Sequence, residues 1–420
     1  MEAIVLAAGK GTRMRSELPK VLHEVLGKPV LSYVLETLAA AGVKRPRVVI
    51  GYGAEKARPF LKDWDAAPVL QREQKGTGHA VMTARAALGK AGGPVLIWPG
   101  DMPLVKAGTL ERFLKAHAES RAHASVLSCV SADPSGYGRV VREEGKLTAI
   151  REEADASAEE RAIREVNTGI YVFDKQALYD ALGKVGRENR QGEYYLTDTI
   201  DILRRGGYYV EAFPFADAEE GQGINSQKDL AVVTQRINQR EIEKHLDRGV
   251  VFVAPEQTFV APGAKLGKGT VIYPWCYIES GVVVGPGCRI GPFAKLREGT
   301  VIGAGSVVGS FVEVNRTRIG KRAFAKHLAY LGDAVVGDGA NIGAGTVTAN
   351  FDGKEKHPTR IGRKALIGSN TVLVAPVSVP DGVKTGAGSV VTRKTRMKKG
   401  SVVVGVPAKL IHTMKRKGSS

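Results

Sequence analysis

An aliphatic residue recurs at every sixth position in the C-terminal half of this 420-residue chain, from Val260 to Val314. An α-helix has a period of 3.6 residues and a simple strand has a period of two, so neither requires this spacing. The recurring positions are Val260, Leu266, Ile272, Ile278, Val284, Ile290, Leu296, Ile302, Val308 and Val314. The pattern is a hexapeptide repeat, which is typical of a parallel β-helix.

Each hexad of such a fold forms a short strand and a corner, and three hexads form one triangular coil that buries the aliphatic side chains. The repeat resumes with a shifted phase at Val336 and Ile342, and again from Ile361 to Val379. Residues 351–360 do not follow the repeat. A loop that leaves a regular solenoid often serves a binding site.

The N-terminal half alternates short apolar strands with helical segments such as 30–41 and 78–88. This alternation predicts an α/β domain with a mostly parallel sheet and with ligand sites at the carboxyl ends of its strands. A further helix is predicted from Ser226, with Asp229 completing a weak capping box, to about residue 247. The predicted strands are 3–7, 47–51, 67–70, 94–98, 124–131, 168–173 and 208–213.

The formal net charge is +18, and much of the basic charge lies near the C-terminus. No nucleic-acid motif accompanies it, so attraction of phosphorylated substrates, or a merely solvated basic tail, is favoured over nucleic-acid binding. The sequence has no bilayer-length apolar run and begins with a strand rather than a signal segment, which predicts a cytoplasmic protein without a membrane partner. The late basic residues are Arg393, Lys394, Arg396, Lys398, Lys399, Lys415, Arg416 and Lys417.

The first predicted strand runs into a glycine-rich turn at 9–13. Such a turn presents backbone N–H groups to phosphate oxygens. The third glycine of the dinucleotide fingerprint and the closing Gly-Lys-Ser/Thr of a P-loop are both absent. Arg13 and Lys20 add two cations beside the turn, which suits a triphosphate, although a tight turn with solvated cations is the alternative.

This turn and the segments 71–80, 100–101, 136–139, 167–169 and 192–198 resemble the sugar-1-phosphate nucleotidyltransferases. With the C-terminal repeats included, the whole chain resembles the GlmU family. In that family an N-acetylglucosamine-1-phosphate uridyltransferase is joined to a glucosamine-1-phosphate N-acetyltransferase. The predicted fold is an α/β Rossmann-like nucleotidyltransferase domain (1–225), a long linking helix (226–248) and a left-handed parallel β-helix (249–420).

For the first domain, the resemblance implies UTP as co-substrate and Mg²⁺ as cofactor. Arg13 and Lys20 are then catalytic, and Asp101 and Asn225 are the Mg²⁺ ligands, a donor set that suits a cation that also takes phosphate oxygens. Without the resemblance, a simple turn aspartate is the alternative interpretation of Asp101. The residues implied to bind UTP or UDP-N-acetylglucosamine are Leu6, Ala7, Ala8, Gly9, Gln71, Gly76, Thr77, Gly100, Gly138, Glu152, Asn167 and Asn225.

For the second domain, the resemblance implies that His327 takes a proton from glucosamine-1-phosphate as its amine attacks acetyl-CoA. A lone histidine without the resemblance is more often structural. The residues implied to bind glucosamine-1-phosphate are Arg297, Tyr330 and Asn341. Those implied to bind acetyl-CoA are Ala344, Asn350, Ser369 and Ala387. Members of the family are homotrimers with this site between neighbouring β-helices.

Three positions depart from the family pattern. A lysine that helps to bind the sugar phosphate is Asn315, a tyrosine is Phe351, and an arginine associated with the coenzyme is Gly405. These departures keep a second hypothesis open, in which a monofunctional nucleotidyltransferase carries a structural or regulatory β-helix. A non-catalytic scaffold or nucleic-acid-binding protein is favoured only by the basic charge.

Overall fold

The computed structural model describes residues 1–89, 92–214 and 217–413, so Lys415, Arg416 and Lys417 lie outside the described residues. The chain divides into two compact units, Met1–Thr234 and Gln235–Ser420. The division falls within a helix, Gln227–Leu246, close to the bounds predicted from the sequence. The domain boundaries at 225 and 249 stay predictions.

The first unit contains strands connected by helices and short 3₁₀ turns. Its strands are β1 (Glu2–Ala7), β2 (Glu24–Val25), β3 (Lys28–Pro29), β4 (Arg47–Ile50), β5 (Ala67–Leu70), β6 (Pro94–Pro99), β7 (Ala124–Val130), β8 (Arg139–Glu143), β9 (Lys146–Arg151), β10 (Glu165–Asp174) and β11 (Val210–Pro214). Its helices are α1 (Val30–Ala40), α2 (Ala54–Leu61), α3 (Thr77–Ala84), α4 (Ala107–Ser120), α5 (Ala158–Arg161), α6 (Lys175–Leu182) and α7 (Asp198–Arg205), and α8 (Gln227–Leu246) follows. The 3₁₀ turns are Thr12–Met14, Lys20–Leu22, Arg85–Ala87 and Ala218–Gly221.

Within the described residues, nine strands form one sheet in the order β11-β7-β10-β6-β1-β4-β5, with the β8–β9 hairpin attached to β10. β1 is parallel to β4 and β6, whereas β10 is antiparallel to β6 and β7. Successive side chains of β1 point to opposite faces, so Ile4 packs in the core that includes α3 and Val5 in the core that includes α1. The parallel strands therefore end at one edge of the sheet, where their following turns can meet.

The predicted strands are all present, and the largest shift is that β10 begins at Glu165 rather than at residue 168. The β8–β9 hairpin is not among the predictions. Its turn consists of Glu144 and Gly145, whose φ angles of 50° and 78° are both left-handed. A turn with two left-handed residues matches the twist of a hairpin, and its usual sequence signal is asparagine or aspartate before glycine. Glutamate stands in that position here, so the sequence does not signal the turn.

The second unit is a triangular prism of three parallel sheets, which we call faces 1, 2 and 3. Face 1 contains Val251–Phe252, Val271–Ile272, Arg289–Ile290, Val307–Ser310, Phe324–His327, Asn341–Ile342, Leu366–Ile367, Lys384–Thr385, Ser401–Val404 and the antiparallel Lys409–Thr413. Face 2 contains Phe259–Val260, Tyr277–Ile278, Lys295–Leu296, Glu313–Asn315, Tyr330–Gly332, Val347–Ala349, Val372–Val374 and Val390–Val391. Face 3 contains Lys265–Leu266, Val283–Val284, Val301–Ile302, Arg318–Ile319, Ala334–Val336, Thr359–Ile361 and Val377–Val379, and a 3₁₀ turn lies at Pro255–Gln257.

The aliphatic ladder from Val260 to Val314 is buried in this prism, which is the left-handed β-helix predicted from the sequence. One detail of the prediction is wrong, because the ladder does not pause between Val314 and Val336. Three further buried residues continue the column, and they are Ile319, Ala325 and Leu331. The small side chain of Ala325 conceals the repeat in the sequence.

Two shortened corners cause the shift in phase. The step from Val314 to Ile319 and the step from Leu331 to Val336 each span five residues instead of six. Each corner turns through one left-handed residue, Arg316 with φ 46° or Asp333 with φ 49°. Both corners lie between faces 2 and 3, so these two charged residues are stacked at one edge of the prism.

The non-repeating segment is a short hairpin at the same edge. Phe351 pairs with Lys356 in an antiparallel bridge. Asp352 closes the turn by accepting hydrogen bonds from the N–H groups of Lys354 and Glu355, each at 2.8 Å. His357 Nε2 lies 2.7 Å from Asp352 Oδ2. The prediction of an ejected loop is therefore confirmed, but its end at residue 360 is wrong, because Thr359 and Arg360 already belong to the next strand of face 3.

Candidate active sites

A cavity of about 650 Å³ opens at the carboxyl edge of the sheet in the first unit. It gathers residues from the turns after β1, β5, β6 and β9 and from β10. The sequence-predicted residues that line it are Leu6, Ala7, Ala8, Gly9, Lys20, Gln71, Gly76, Thr77, Asp101, Gly138, Glu152, Asn167 and Asn225. Gly100 does not line it, and its N–H donates to the carbonyl of Leu6 at 2.9 Å.

The turn after β1 brings backbone and cations together. Gly11 is left-handed, with φ 59°, and an added Cβ would lie 2.9 Å from Cβ of Lys20. Glycine therefore lets the chain pass close to Lys20. Lys20 reaches into the cavity, whereas Arg13 is exposed beside it.

Four polar side chains converge where the triphosphate is expected. The ammonium of Lys20 contacts Asp101 Oδ2 and donates to Asn225 Oδ1 at 3.2 Å. Arg13 donates to the same Asn225 oxygen at 3.0 Å. One cation thus touches both the carboxylate and the amide oxygen, so the two oxygens fit a shared Mg²⁺ whose other ligands are phosphate oxygens and water.

A buried glutamine, Gln71, lies where the resemblance predicts contact with the uracil base. Gln71 is only 2% exposed, and its Nε2 lies 2.9 Å from Nδ1 of His79. If Gln71 Nε2 donates to that nitrogen, Oε1 of Gln71 is turned away from His79 and can accept from a ligand. His79 is not among the site residues predicted from the sequence, and its contact with Gln71 arises only in the fold.

The turn from Lys75 to Thr77 is held by the segment 192–198. Gly76 has φ 104°, and a Cβ there would lie 2.6 Å from the carbonyl oxygen of Tyr194. The N–H of Leu196 donates to Thr77 Oγ1 at 3.0 Å. The motif at 192–198 therefore supports this turn of the cavity from behind, and only the fold brings it there.

The other end of the cavity contains the residues predicted to hold the sugar. A bulge in β10 at Thr168 and Gly169 interrupts its pairing with β7, and Asn167 Oδ1 accepts from the N–H of Gly169 at 2.8 Å. Glu152 Oε1 accepts from Thr197 Oγ1 at 3.0 Å. Burial raises the pKa of Glu152, and nearby Asp198, Asp155 and Glu193 add to the effect.

Further residues line the cavity that are not among the predictions. They are Lys10, Gly11, Thr12, Val21, Gln74, Ala80, Pro99, Met102, Gly136, Tyr137, Thr168, Gly169, Tyr171, Glu193, Leu196, Thr197 and Gly223. Several lie within the motifs at 136–139 and 192–198, so those motifs were a usable signal. Tyr171 lies inside an apolar strand, where nothing in the sequence signals a site residue.

In the second unit, one edge of the prism carries His327 and three of the four predicted coenzyme residues. His327 ends a strand of face 1, and Ala344, Ser369 and Ala387 lie in the turns between faces 1 and 2 of the next three coils. Backbone hydrogen bonds link these turns, including Gly345 N–H to Leu328 O at 2.9 Å, Asn370 N–H to Ala344 O at 2.7 Å and Gly388 N–H to Ser369 O at 2.8 Å. His327, Ser369 and Ala387 are exposed, so this edge is open on its outer side.

The fourth predicted coenzyme residue, Asn350, lies at the opposite edge, between faces 2 and 3. Its Nδ2 donates to Asp333 Oδ2 at 2.5 Å. Arg316 forms a bidentate pair with the same carboxylate, at 2.7 Å through Nε and 2.9 Å through Nη2. These hydrogen bonds, from Arg316 first, lower the pKa of Asp333.

The predicted sugar-phosphate residues lie mainly on face 2. Arg297 donates to Glu313 Oε1 at 3.2 Å, and its buried Nε has no hydrogen-bond partner among the described residues. The hydroxyl of Tyr330 points toward the Asn350 edge, since a Cβ on Gly332 would meet both Tyr330 Oη and Asn350 Nδ2. Asn341 lies instead on face 1, paired with Phe324 and Leu366.

The three departures from the family pattern have distinct surroundings. Asn315 is 5% exposed, and its Oδ1 accepts from Arg316 Nη1 at 3.0 Å. Phe351 is 59% exposed in the hairpin. Gly405 has φ 95°, a conformation that an arginine side chain would adopt only with strain.

No helix among the described residues (1–89, 92–214 and 217–413) is long and apolar enough to cross a membrane.

Five exposed basic residues follow the last strand of face 2, and they are Arg393, Lys394, Arg396, Lys398 and Lys399. Attraction of phosphorylated substrates by these residues stays a prediction.

Comparison with known proteins agrees with this architecture. Residues 3–167 match the MobA-like NTP transferase domain, and residues 263–298 and 281–316 match the bacterial transferase hexapeptide repeat. The chain is 44% identical to the bifunctional protein GlmU of Carboxydothermus hydrogenoformans, over 93% of this chain and 95% of that protein. It is 40% identical to bifunctional GlmU of Bacillus subtilis, over 93% of each chain. The chain therefore belongs to the bifunctional GlmU family, whose members combine a nucleotidyltransferase with an acetyltransferase.

Proposed function

We propose that the chain makes UDP-N-acetylglucosamine in two steps at two separate sites. The β-helix transfers an acetyl group from acetyl-CoA to glucosamine-1-phosphate, and the α/β unit then joins the product to UTP. The observation that carries the proposal is the cavity of about 650 Å³, which holds a phosphate-binding turn, Lys20, Asp101 and an oriented Gln71 together.

In the uridylyl transfer, a phosphate oxygen of the sugar attacks the α-phosphorus of UTP and pyrophosphate leaves. Lys20 and Arg13 neutralise the charge that develops on the phosphates, and the turn at 9–13 donates backbone N–H groups. Asp101 and Asn225 would hold Mg²⁺, which neutralises and aligns the triphosphate when it is bound. Gln71 reads the uracil, while Asn167 and Glu152 position the sugar.

In the acetyl transfer, the amine nitrogen of glucosamine-1-phosphate attacks the thioester carbonyl of acetyl-CoA. His327 accepts a proton from that nitrogen, the carbon–sulfur bond breaks, and the coenzyme leaves as a thiolate that takes up a proton. Ala344, Ser369 and Ala387 would line the coenzyme along the His327 edge. Arg297 and Tyr330 would hold the sugar phosphate.

We further propose a homotrimer in which two edges of neighbouring prisms form each acetyltransferase site. His327 and Asn350 lie at opposite edges of face 2, so one prism cannot surround a substrate with both. The His327 edge also carries three stacked and exposed aromatic rings. Ring centroids lie 6.4 Å apart for Trp275 and Phe293 and 4.9 Å apart for Phe293 and Phe311.

These rings support self-association because they are apolar and exposed. Trp275, Phe293 and Phe311 are 54%, 46% and 58% exposed, and all three are left-handed, with φ of 62°, 57° and 57°. A left-handed bulky residue costs about 1–2 kcal/mol, and a contiguous exposed apolar patch marks an interaction surface. A second copy of the chain would cover this column and place its own edge beside His327.

One experiment tests both activities on the purified full-length chain. Glucosamine-1-phosphate and acetyl-CoA are supplied while free thiol is measured, and N-acetylglucosamine-1-phosphate and UTP are supplied while pyrophosphate is measured. Release of both products is expected. Pyrophosphate release without thiol release would replace the proposal with the monofunctional alternative, which the buried Asn315 and the left-handed Gly405 favour.

A further inference from the structure

The acetyl acceptor proposed above carries a phosphate group, and the surroundings of Asn315 determine what can bind it. Asn315 is neutral and 5% exposed, and its carboxamide oxygen is occupied by a hydrogen bond from Arg316. Asn315 therefore brings no positive charge and little free surface to a phosphate. The nearest cation in the same turn is the guanidinium of Arg316.

The guanidinium of Arg316 has N–H donors that remain free to bind a ligand. Arginine has five N–H donors. Arg316 donates to Asp333 through one N–H of Nε and one N–H of Nη2, and it donates to Asn315 through one N–H of Nη1. One N–H on Nη1 and one on Nη2 have no hydrogen-bond partner in the described part of the chain. Two terminal nitrogens of one guanidinium match two oxygens of a phosphate.

The position of Arg316 is fixed from three sides. Its backbone N–H donates to the carbonyl of Glu298 at 3.3 Å, and its φ of 46° holds the corner of the coil. Asp333 holds the Nε and Nη2 side, and Asn350 donates to that carboxylate at 2.5 Å. The side chain is nevertheless 41% exposed, so an anion can reach it.

A second arginine lies one coil away from Asn315. In face 2, Arg297 follows Leu296, which pairs with Val314, so Arg297 and Asn315 occupy equivalent positions in neighbouring coils. Adjacent strands are separated by about 4.8 Å. Arg297 and Arg316 therefore flank Asn315, and Arg297 is itself paired with Glu313 Oε1 at 3.2 Å.

We propose that Arg316 is a phosphate-binding residue of the acetyl-acceptor site and supplies there the positive charge that Asn315 lacks. This inference rests on the proposed acetyltransferase function. Asp333 orients one side of the guanidinium and leaves the terminal N–H groups for the phosphate. Arg316 contributes to binding of the phosphate rather than to proton transfer, so the KM for the acceptor depends on it and the kcat hardly does.

The test compares R316Q, R316K and the double variant N315K/R316Q with the unmodified full-length chain. Binding of glucosamine-1-phosphate is measured by calorimetry, and thiol release is measured with glucosamine-1-phosphate and with unphosphorylated glucosamine. R316Q is expected to weaken binding of the phosphorylated acceptor and raise its KM by roughly tenfold to a hundredfold. The KM for acetyl-CoA and the rate with glucosamine should stay within about twofold of the unmodified chain.

The added lysine of N315K/R316Q is expected to recover most of the lost affinity, and R316K should bind with intermediate strength because it retains charge without the planar fork. R318Q is the matched control, since Arg318 is exposed in the same coil but lies on face 3. Unchanged binding in R316Q, or an equal loss for both acceptors, would overturn the inference. If the unmodified chain binds glucosamine-1-phosphate but releases no thiol, the proposed acetyltransferase activity is overturned. The effect of R316Q on that binding would still test the role of Arg316.

Discussion

The two candidate sites differ in how their residues are brought together. In the α/β unit, residues from Leu6 to Asn225 meet in one cavity, because parallel strands end at the same edge of a sheet. In the β-helix, residues that follow one another in successive coils are stacked along an edge, and His327 and Asn350 stay at opposite edges. A sheet of this kind gathers site residues from a single chain into one cavity, whereas the prism places its predicted site residues at two separate edges, which is why we propose that another copy completes the site.

The largest expected effect is on the enclosed site. Asp101→Ala removes the carboxylate that faces Lys20 and is expected to lower the kcat of uridylyl transfer on the order of 10²–10³-fold, since charge on the phosphates is then poorly neutralised. Pyrophosphate release measures it. Acetyl transfer should be unchanged, and its simultaneous loss would indicate misfolding instead of a missing Mg²⁺ ligand.

The corresponding change in the β-helix is His327→Ala. Removing a general base is expected to slow thiol release by about 10²–10³-fold. His123→Ala is the control, because His123 lies in the α/β unit, where it accepts from the N–H of Tyr209 at 3.2 Å, and has no assigned chemistry. Full acetyl transfer by the His327 variant would remove His327 from the mechanism.

The need for a second copy is tested by Phe311→Asn. Asparagine tolerates the left-handed conformation, so the change removes an exposed ring without adding backbone strain. Weaker self-association is expected in sedimentation, together with a loss of acetyl transfer that grows on dilution, while uridylyl transfer persists. Val335→Thr, on exposed face 3, should change neither. An undisturbed oligomer in the Phe311 variant would contradict the role of the aromatic column.

A smaller effect is expected at the base pocket. His79→Leu removes the nitrogen that lies 2.9 Å from Gln71 Nε2 and frees the amide to rotate. Discrimination between UTP and CTP, measured as the ratio of kcat/KM, should fall roughly fivefold to tenfold, which corresponds to one lost hydrogen bond of about 1–1.5 kcal/mol. An unaltered ratio would mean that Gln71 is oriented without His79.

The smallest expected effect concerns stability. The raised pKa of Glu152 means that the folded state binds its proton more tightly than the unfolded state, so ionisation lowers the free energy of unfolding as pH rises above the unfolded value. Glu152→Gln is therefore expected to unfold at higher urea concentration at about pH 8 and at a nearly equal concentration at about pH 4. A stabilisation that is the same at both pH values would not come from this carboxyl.

Much of the fold follows from the order of residues. The hexad ladder specifies the prism because each inward position must be apolar, and Gly9 to Arg13 after β1 mark the phosphate turn. The sequence pattern predicts neither the hairpin β8–β9 nor the ladder positions Ile319 to Leu331, because glutamate at 144 is not a usual left-handed turn residue and Ala325 is too small to mark a buried position. Local pattern fails at these points because burial and backbone angle depend on contacts that are distant in sequence.

The sequence by itself determined the two architectures and, through the family resemblance, the residue types that each chemistry needs. The tertiary structure decided how those residues are grouped. It places Lys20, Asp101 and Asn225 around one position, although they are separated by up to 205 residues in the chain. It also places Asn350 beside Arg316 and away from His327. The physical reason is that coil length and strand order, rather than separation in sequence, set which side chains share an edge.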